Sequence, residues 1–191
     1  MQTETARPTR DLRWRCGLTL ALAVAACLPA GAQAPVQEEV VEAAYLHKFA
    51  GFVDWPAEAF RTPASPIVVA VAGAPRVYDE LVKVARGRSV LGRPVEARLL
   101  HAADLPEGVH VLFIGRGAAA EAAALVAAAS KAHVLTVTDL STGLDAGAIL
   151  DFVQVDGRLR FEASLGAARR ADIRLSSKLL SVAARVAEDA P

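Results

Sequence analysis

Cysteine is nearly absent from this sequence, and its scarcity argues against two kinds of site. The chain of 191 residues contains two cysteines, Cys16 and Cys27, both of which precede residue 35. If the first 34 residues are removed on export, no thiol remains to form a disulfide or to bind a metal. Four histidines are present, and none has the short spacing to another that zinc sites use: His47, His101, His110 and His133. We therefore expect no metal, no cofactor, and a fold stabilised by packing.

An excess of basic charge is also lacking. The whole chain has 21 basic and 21 acidic residues, and residues 35–191 alone have 17 and 19. This balance excludes the basic surface typical of nucleic-acid binding. Signatures of hydrolases are missing too, since there is no G-x-S-x-G, and Lys178 follows Ser176 by two residues rather than the three of S-x-x-K. No carboxylate pair stands out as an acid–base couple, so the composition favours a protein that is not an enzyme.

The N-terminus has the pattern of an export signal. Four arginines precede an apolar segment at residues 16–28, which is too short to span a bilayer comfortably. The sequence Ala32-Gln33-Ala34 then matches an A-x-A cleavage site. We predict a signal peptide at residues 1–34 and a single domain at residues 35–191. Residues 24–27 also resemble a bacterial lipobox, so attachment to a membrane through a lipidated Cys27 remains an alternative to cleavage after Ala34.

A βαβ unit sets the fold class. Residues 109–114 form a run that is apolar except for His110, and residues 134–138 form a β-branched run, which stops at Asp139. Such runs are typical of parallel strands that are covered on both faces. Between them, residues 118–132 are so rich in alanine that they predict a helix. Strand, helix and strand in this order predict a parallel sheet with helices against it.

The first part of the domain predicts an amphipathic helix over residues 36–53. Apolar side chains recur on one face: Val41, Tyr45, Phe49 and Phe52. Glutamates occupy the early turns, where the helix dipole favours negative charge: Glu38, Glu39 and Glu42. Pro56 ends the segment, since proline cannot continue a helix.

The middle of the chain adds strands and a helix to this unit. Residues 67–72 predict a second buried strand, and a helix is expected from Pro75 to just before Gly87. Its buried side is predicted from three apolar residues at helical spacing: Val77, Leu81 and Val84. Residues 95–99 alternate apolar and charged side chains, which indicates a half-exposed strand at an edge of the sheet.

The C-terminal third predicts a hairpin followed by helices. Asp156-Gly157 is a strong type I′ turn signal between strands at residues 149–155 and 158–162. A short helix is expected over residues 163–171. Ser176 or Ser177 would then cap a final helix, with an apolar stripe of Leu179, Val182 and Val186. The predicted fold is a three-layer α/β/α sandwich with a mostly parallel sheet and an antiparallel edge hairpin.

A dinucleotide fingerprint is the strongest single motif. Gly115, Gly117 and Ala120 fit G-x-G-x-x-A between a strand and a helix, and Asp139 follows at the end of the next strand. The motif predicts a Rossmann-like site in which the helix N-terminus binds pyrophosphate and the acid binds ribose. The same residues also fit a tight strand-to-helix turn without a ligand, followed by alanine, which is the commonest residue in this sequence. Two further points disfavour the cofactor: the unit is not the first in the chain, and an exported protein meets little nicotinamide cofactor.

Longer blocks of sequence resemble the YfiR-like family of periplasmic regulators, formerly a domain of unknown function. The match begins with Ala44-Tyr45-Leu46-His47-Lys48-Phe49-Ala50-Gly51-Phe52-Val53-Asp54-Trp55-Pro56. It continues through blocks at residues 111–114, 134–139, 147–152, 155–162 and 173–180. Three positions depart from the family's usual pattern: Leu144 in place of an aromatic residue, and Asp151 and Ser164 in place of asparagine. The cysteine pairs of some relatives are also missing.

The resemblance implies a periplasmic protein without enzymatic activity. It would bind and repress the periplasmic sensor part of an inner-membrane diguanylate cyclase, and so lower cyclic di-GMP and biofilm formation. The identity of the partner, the signal and the oligomeric state, a homodimer included, do not follow from the resemblance.

Aromatic side chains and arginine are the usual anchors of protein interfaces. On this basis the partner-binding candidates are Phe52, Trp55, Pro56, Arg160, Arg174 and Lys178. The competing interpretation is that Phe49, Phe52 and Trp55 simply pack on the sheet.

Overall fold

An eight-stranded sheet forms the centre of the fold. The structure, a computed structural model, describes residues 37–55, 59–101 and 105–188. The predicted signal peptide, Cys27 and Pro56 lie outside the described residues. In chain order the strands are β1 (Val53–Asp54), β2 (Ile67–Ala72), β3 (Ser89–Val90), β4 (Arg93–Leu100), β5 (Val111–Ile114), β6 (Leu135–Thr138), β7 (Leu150–Val155), β8 (Arg158–Ser164), β9 (Arg174–Leu175) and β10 (Arg185–Ala187).

The large sheet has the order β10-β8-β7-β6-β5-β2-β4-β3. Its pairs are parallel except β7 with β8 and β3 with β4. The chain passes from β2 outward to β4 and then returns to the other side of β2 to form β5 and β6. The direction of winding therefore reverses between β2 and β5, and ligands of open α/β sheets bind at such a point. Strands β1 and β9 form a separate antiparallel pair.

Helices cover both faces of the sheet. They are α1 (Glu38–Phe49), α2 (Pro75–Ala85), α3 (Ala122–Lys131), α4 (Leu165–Arg170) and α5 (Ser177–Leu180). Side chains of α1 and α2, including Leu46, Phe49 and Leu81, pack in one core with Val71 and Phe113 of the sheet. Residues of α3 form a second core with the opposite face. The predicted three-layer α/β/α class and mostly parallel sheet are confirmed.

The hairpin forms at the predicted turn. Asp156 and Gly157 both have positive φ angles, 50° and 69°, as a type I′ turn requires. However, β10 pairs with the outer side of β8, so the hairpin lies one strand in from the edge. At the other side of the sheet, the half-buried β4 is likewise covered by the two-residue β3.

The predicted final helix is wrong beyond its first turn. Ser176 caps α5 as expected, its Oγ accepting from the Leu179 amide at 3.3 Å, but α5 ends at Leu180. The following residues form β10, and Val182 remains 55% exposed. The free backbone edge of β8 explains the difference, because a strand edge gains hydrogen bonds when another segment pairs with it. The Ala184 amide begins this pairing by donating to the Phe161 carbonyl at 2.8 Å.

Two other helices differ from their predicted form. The alanine-rich segment divides into a 3-10 helix, Arg116–Glu121, and α3, because Ala118 has non-helical angles of −116° and 25°. In α1 the fully buried residues include Ala43 and Leu46, whereas Val41 and Tyr45 of the predicted stripe are half-buried. The buried face of α1 is therefore rotated from the predicted one, and it includes the carboxyl group of Glu42.

Candidate functional site

The carboxyl ends of β2, β5 and β6 meet at one edge of the sheet, because the three strands are parallel neighbours. Gly73 follows β2, Arg116 follows β5 and Asp139 follows β6. The first turns of α1 lie above these strand ends and contribute Glu38 and Glu42 to the same cleft, which has a volume of about 330 Å³. We call this place the acidic cleft, defined by Glu38, Glu42, Arg116 and Asp139.

Arg116 bridges two of the three carboxylates. Its Nη2 donates to Asp139 Oδ1 at 2.9 Å and lies 3.5 Å from Glu38 Oε1. The arginine side chain is 69% exposed, so solvent weakens both ion pairs. Burial raises the pKa of Asp139, and the Arg116 hydrogen bond opposes that change.

Glu42 differs from its neighbours because it is 3% exposed. Its Oε1 has no hydrogen-bond partner among the described residues. Burial, followed by the negative charges of Asp139 and Glu38, raises the pKa of Glu42 from 4.5 to about 8. The sequence alone indicates only an acidic residue in the early turns of a helix, where the helix dipole favours negative charge.

The glycines of the dinucleotide fingerprint serve close packing of two turns. A Cβ atom on Gly117 would lie 2.6 Å from the Gly73 carbonyl oxygen, and one on Gly115 would lie 2.6 Å from Ala74 Cβ. The Gly117 amide donates to Gly73 O at 3.1 Å, so it does not face a ligand. Asp139, the expected ribose acid, is paired with Arg116. Together with the adjacent carboxylates, which would repel pyrophosphate, these contacts disfavour a dinucleotide site.

A second groove, of about 390 Å³, runs from Asp139 along the hairpin strands. At its base Thr138 Oγ1 donates to Asp151 Oδ1 at 2.5 Å, and the Leu140 amide donates to the same oxygen at 3.3 Å. Burial raises the pKa of Asp151 to about 6, against the opposing effect of these two hydrogen bonds. An asparagine, which the resemblance described above leads us to expect at this place, would keep both bonds through its Oδ1.

Ser164 has an equally simple role. Its Oγ accepts a hydrogen bond from the Ala167 amide at 3.1 Å and caps α4, while the residue itself is fully buried. Serine and asparagine are both good N-caps, so this departure from the family pattern preserves the local structure.

Four of the six predicted partner-binding residues lie at or next to the small β1–β9 sheet. Asp54 of β1 is paired with Arg174 of β9, and the Ser176 amide donates to Phe52 O at 2.9 Å. Trp55 directly follows β1, and Lys178 lies in α5, just after β9. Arg174 and Lys178 are exposed, whereas Phe52 and Trp55 are half-buried against the core.

The other two predicted residues are not brought into this group. Arg160 is on β8 of the large sheet, where its Nη2 donates to Val182 O at 3.1 Å. Pro56 lies outside the described residues. We call the group of Phe52, Trp55, Arg174 and Lys178 the β1–β9 surface.

Sequence reasoning missed the role of His110, which it considered only as a possible metal ligand. The residue is 5% exposed, and its ring contacts those of Trp55 and Phe60 at centroid distances of 5.5 and 4.6 Å. Its Nδ1 accepts from the Val68 amide at 3.2 Å, and its Nε2 lies 3.0 Å from Ala59 O. No local sequence pattern indicates this role, because the two hydrogen-bond partners of His110 are 42 and 51 residues away in the chain.

Arg93 also holds the segment between β1 and β2, to which Ala59 and Phe60 belong. Its Nη1 donates to the carbonyls of Thr62, Pro63 and Ser65 at 2.8–2.9 Å, and its guanidinium lies 3.7 Å above the Phe60 ring. Together with His110, this arginine fixes a segment that the sequence presents as a plain linker, close to the β1–β9 surface.

None of the helices in the described part of the chain has the length and apolar character that crossing a membrane requires.

Solved structures share the fold at low sequence identity. A conserved domain protein from Vibrio cholerae O1 biovar El Tor matches with a TM-score of 0.56 and 11% identity, over 78% of this chain and 60% of that one. The ABC domain from Streptococcus pneumoniae, solved in complex with L-Trp, matches with a TM-score of 0.50 and 10% identity, over 76% of this chain and 60% of that one. This chain thus spans about 60% of the length of each. At these identities the likeness concerns the fold alone.

Among curated proteins, none matches this sequence. A family model does match: the YfiR/HmsC-like family covers residues 39–184, which include all of the described helices and strands except the first residue of α1 and the whole of β10. The match extends over far more than half of the chain. The protein belongs to the YfiR/HmsC-like family.

Proposed function

We propose that this protein binds the periplasmic part of an inner-membrane diguanylate cyclase and keeps the cyclase inactive, so that cytoplasmic cyclic di-GMP stays low. The observation that carries the proposal is the family match over residues 39–184, since the family supports a regulatory role in the periplasm in general. Release of the cyclase would raise cyclic di-GMP and promote biofilm formation. In this role the protein acts by binding and needs no catalytic residue.

We place the partner contact on the β1–β9 surface. Two exposed cations, Arg174 and Lys178, and two half-buried aromatic residues, Phe52 and Trp55, lie on or next to the paired strands β1 and β9. Interfaces concentrate their binding energy in such aromatic and arginine anchors, and exposed charges at the rim guide the approach of a partner. The chemistry fits an acidic surface with an apolar centre on the partner.

The aromatic part of this surface is held in place before binding. Trp55 Nε1 donates to Ala50 O at 2.9 Å, and the Trp55 and His110 rings pack at nearly a right angle. The pairing of β1 with β9 fixes the backbone on either side. Side chains that are already ordered lose less conformational entropy on binding, which favours affinity.

The test is binding of the purified domain to the periplasmic part of each inner-membrane diguanylate cyclase of the source bacterium. A double variant, Arg174→Ala with Lys178→Ala, removes two exposed side chains and should fold normally. We expect its affinity to fall at least ~10-fold, as for loss of interface anchors. A matched control, Arg86→Ala with Lys131→Ala, removes two exposed cations from α2's end and α3, and should bind as wild type does.

Failure would take two distinguishable forms. If no cyclase binds the wild-type domain, the proposed function is wrong. If a cyclase binds and both double variants retain wild-type affinity, only the location on the β1–β9 surface is wrong.

Binding of a dinucleotide, the second candidate, makes an opposite prediction. A cofactor that binds the native state should raise the thermal unfolding midpoint by mass action. The packed Gly115–Gly117 turn and the carboxylates around Asp139 lead us to expect no such increase with NAD or NADP.

A further inference from the structure

The acidic cleft brings three carboxylates to one point at the place where the winding of the sheet reverses. One oxygen atom from each of Glu38, Glu42 and Asp139 lies within 4.8 Å of the other two. Glu38 and Glu42 are one helical turn apart on α1, while Asp139 extends from the end of β6. Two separate elements thus supply oxygens to one small volume. Like charges this close repel one another, so the arrangement favours either a proton on one of the carboxyl groups or a compensating positive charge.

Glu42 gives an independent sign that a partner is missing. Its side chain is almost completely buried, it lines the cleft, and its Oε1 has no hydrogen-bond partner among the described residues. Protonation can remove the charge of a buried carboxylate, but an oxygen atom without a donor stays costly, and native proteins resolve that cost by hydrogen bonding or by coordinating a metal. No amide, hydroxyl or cationic group in the described chain satisfies this atom.

Arg116 supplies only part of the compensation. It forms ion pairs with Asp139 and Glu38, whereas among the described residues no ion pair joins it to Glu42, on which its charge acts from further away. Its side chain is mostly exposed, so it can turn towards solvent without breaking any packed core. The arginine therefore pairs with two of the three carboxylates, and it would compete weakly with a metal ion for them.

We propose that the acidic cleft is a binding site for a hard divalent cation such as Ca²⁺, coordinated by carboxylate oxygens of Glu38, Glu42 and Asp139, with water completing the shell. Carboxylates are the ligands that Ca²⁺ and Mg²⁺ prefer, and Ca²⁺ accepts irregular arrangements of them. The site lacks histidine and cysteine, so zinc is disfavoured. This inference is independent of the proposed function. It also revises the expectation of no metal site, which had considered only histidine and cysteine.

Cation binding would join α1 to the end of β6. It would therefore stabilise the contact between the helix layer and the sheet, on the face that carries the larger core. A partly solvated site of three carboxylates resembles extracellular Ca²⁺ modules, for which dissociation constants of about 10⁻⁴–10⁻³ M are usual. We expect an affinity in that range.

The experiment is calorimetric titration of the chelator-treated domain, residues 35–191, with CaCl₂ in mildly alkaline buffer, paired with thermal unfolding in the same buffer. Wild type should bind one Ca²⁺ and show a saturable increase in its unfolding midpoint. Glu42→Gln and Asp139→Asn should each weaken binding at least ~10-fold. The exposed Asp79 of α2 offers a matched control, and Asp79→Asn should leave binding unchanged.

Arg116→Gln provides a test that loss of folding cannot imitate, because it predicts a gain. Removing the internal cation should tighten Ca²⁺ binding about fivefold or more, since about 1 kcal/mol of competing ion pairing is lost. Circular dichroism of each variant checks that the fold is intact.

Three results would overturn the proposal. The first is no Ca²⁺ binding by either wild type or Arg116→Gln. The second is binding that Glu42→Gln and Asp139→Asn leave unchanged, which would place the ion elsewhere. The third is weaker binding in Arg116→Gln, which would mean that the arginine does not compete with the ion.

Discussion

Replacing His110 with phenylalanine tests how the segment between β1 and β2 is fixed to the sheet. In the native protein Nδ1 accepts from the Val68 amide, so the proton must be on Nε2, which donates to Ala59 O. Phenylalanine keeps a ring of similar size, and with it the contacts to Trp55 and Phe60, but it removes both hydrogen bonds. The variant therefore isolates the polar contribution of the imidazole.

The expected loss of stability follows from these two bonds. The Val68 amide would remain buried without an acceptor, which costs about 1–3 kcal/mol. Loss of the partly buried bond to Ala59 adds about 1 kcal/mol. We expect His110→Phe to lower the free energy of unfolding by about 2–4 kcal/mol at neutral pH, measured by urea denaturation. The midpoint should fall while the m-value stays constant.

The same residue should make stability depend on pH. Burial lowers the pKa of His110, and the nearby charge of Arg93 adds to the effect, although the hydrogen bond to Ala59 opposes it. In the unfolded chain the imidazole binds a proton near its ordinary pKa of about 6.5. Below that pH the unfolded state therefore binds more protons, and the stability of wild type should fall as the pH falls. This contribution should be missing in His110→Phe.

The exposed His101 supplies the control, because His101→Gln should keep both the neutral-pH stability and the acid sensitivity of wild type. A loss below about 0.5 kcal/mol in His110→Phe at neutral pH would refute the role of the two hydrogen bonds. An unchanged decline of stability on acidification would refute the role of its protonation.

Three further variants test other features of the structure. Ser164→Ala removes the cap of α4 and should lower the free energy of unfolding by about 1–2 kcal/mol in urea denaturation. Burial raises the pKa of Asp151 from 3.8 to about 6, so wild type should lose stability as the pH rises through that interval. Asp151→Asn should therefore be more stable than wild type at pH 8, by up to about 3 kcal/mol, but not at pH 4. Gly117→Ala would force a methyl group against the Gly73 carbonyl and should lower the free energy of unfolding by about 1–3 kcal/mol, measured by thermal unfolding. NAD should not change the unfolding midpoint of either protein. A substitution without effect on stability would contradict the close packing of the two turns.

The sheet was predictable because its strands carry strong local signals. The apolar runs of β2 and β5 and the β-branched run of β6 are fully buried, as parallel strands between two helix layers must be. The Asp156-Gly157 turn fixed the register of the hairpin in the same local way. Each of these features depends on residues that are neighbours in sequence.

Features that depend on distant segments were not predictable. The apolar stripe assigned to residues 179–186 fits a helix, and only the unpaired edge of β8 makes a strand better. Apolar residues surround most of α1, so its sequence does not define the face that contacts the sheet. The face of α1 that packs on the sheet determines whether Glu42 lies in solvent or in the acidic cleft.

The candidate sites also combine features that the local sequence indicates with features that depend on distant segments. The motif around Gly115 was visible in sequence, but the contact that explains its glycines comes from Gly73, more than forty residues earlier. The aromatic and basic residues of the β1–β9 surface were chosen by residue type, and the pairing of β1 with β9 brings four of them together. His110 had no local signal at all.

The most direct test of the proposed function is the cyclic di-GMP content of the source bacterium with and without this gene. We predict that deletion raises cyclic di-GMP and biofilm formation, and that a plasmid copy of the wild-type gene restores both. A copy carrying Arg174→Ala and Lys178→Ala should be exported and folded yet fail to restore them. Unchanged cyclic di-GMP after deletion, under several growth conditions, would contradict the assignment of this protein as a repressor of a diguanylate cyclase.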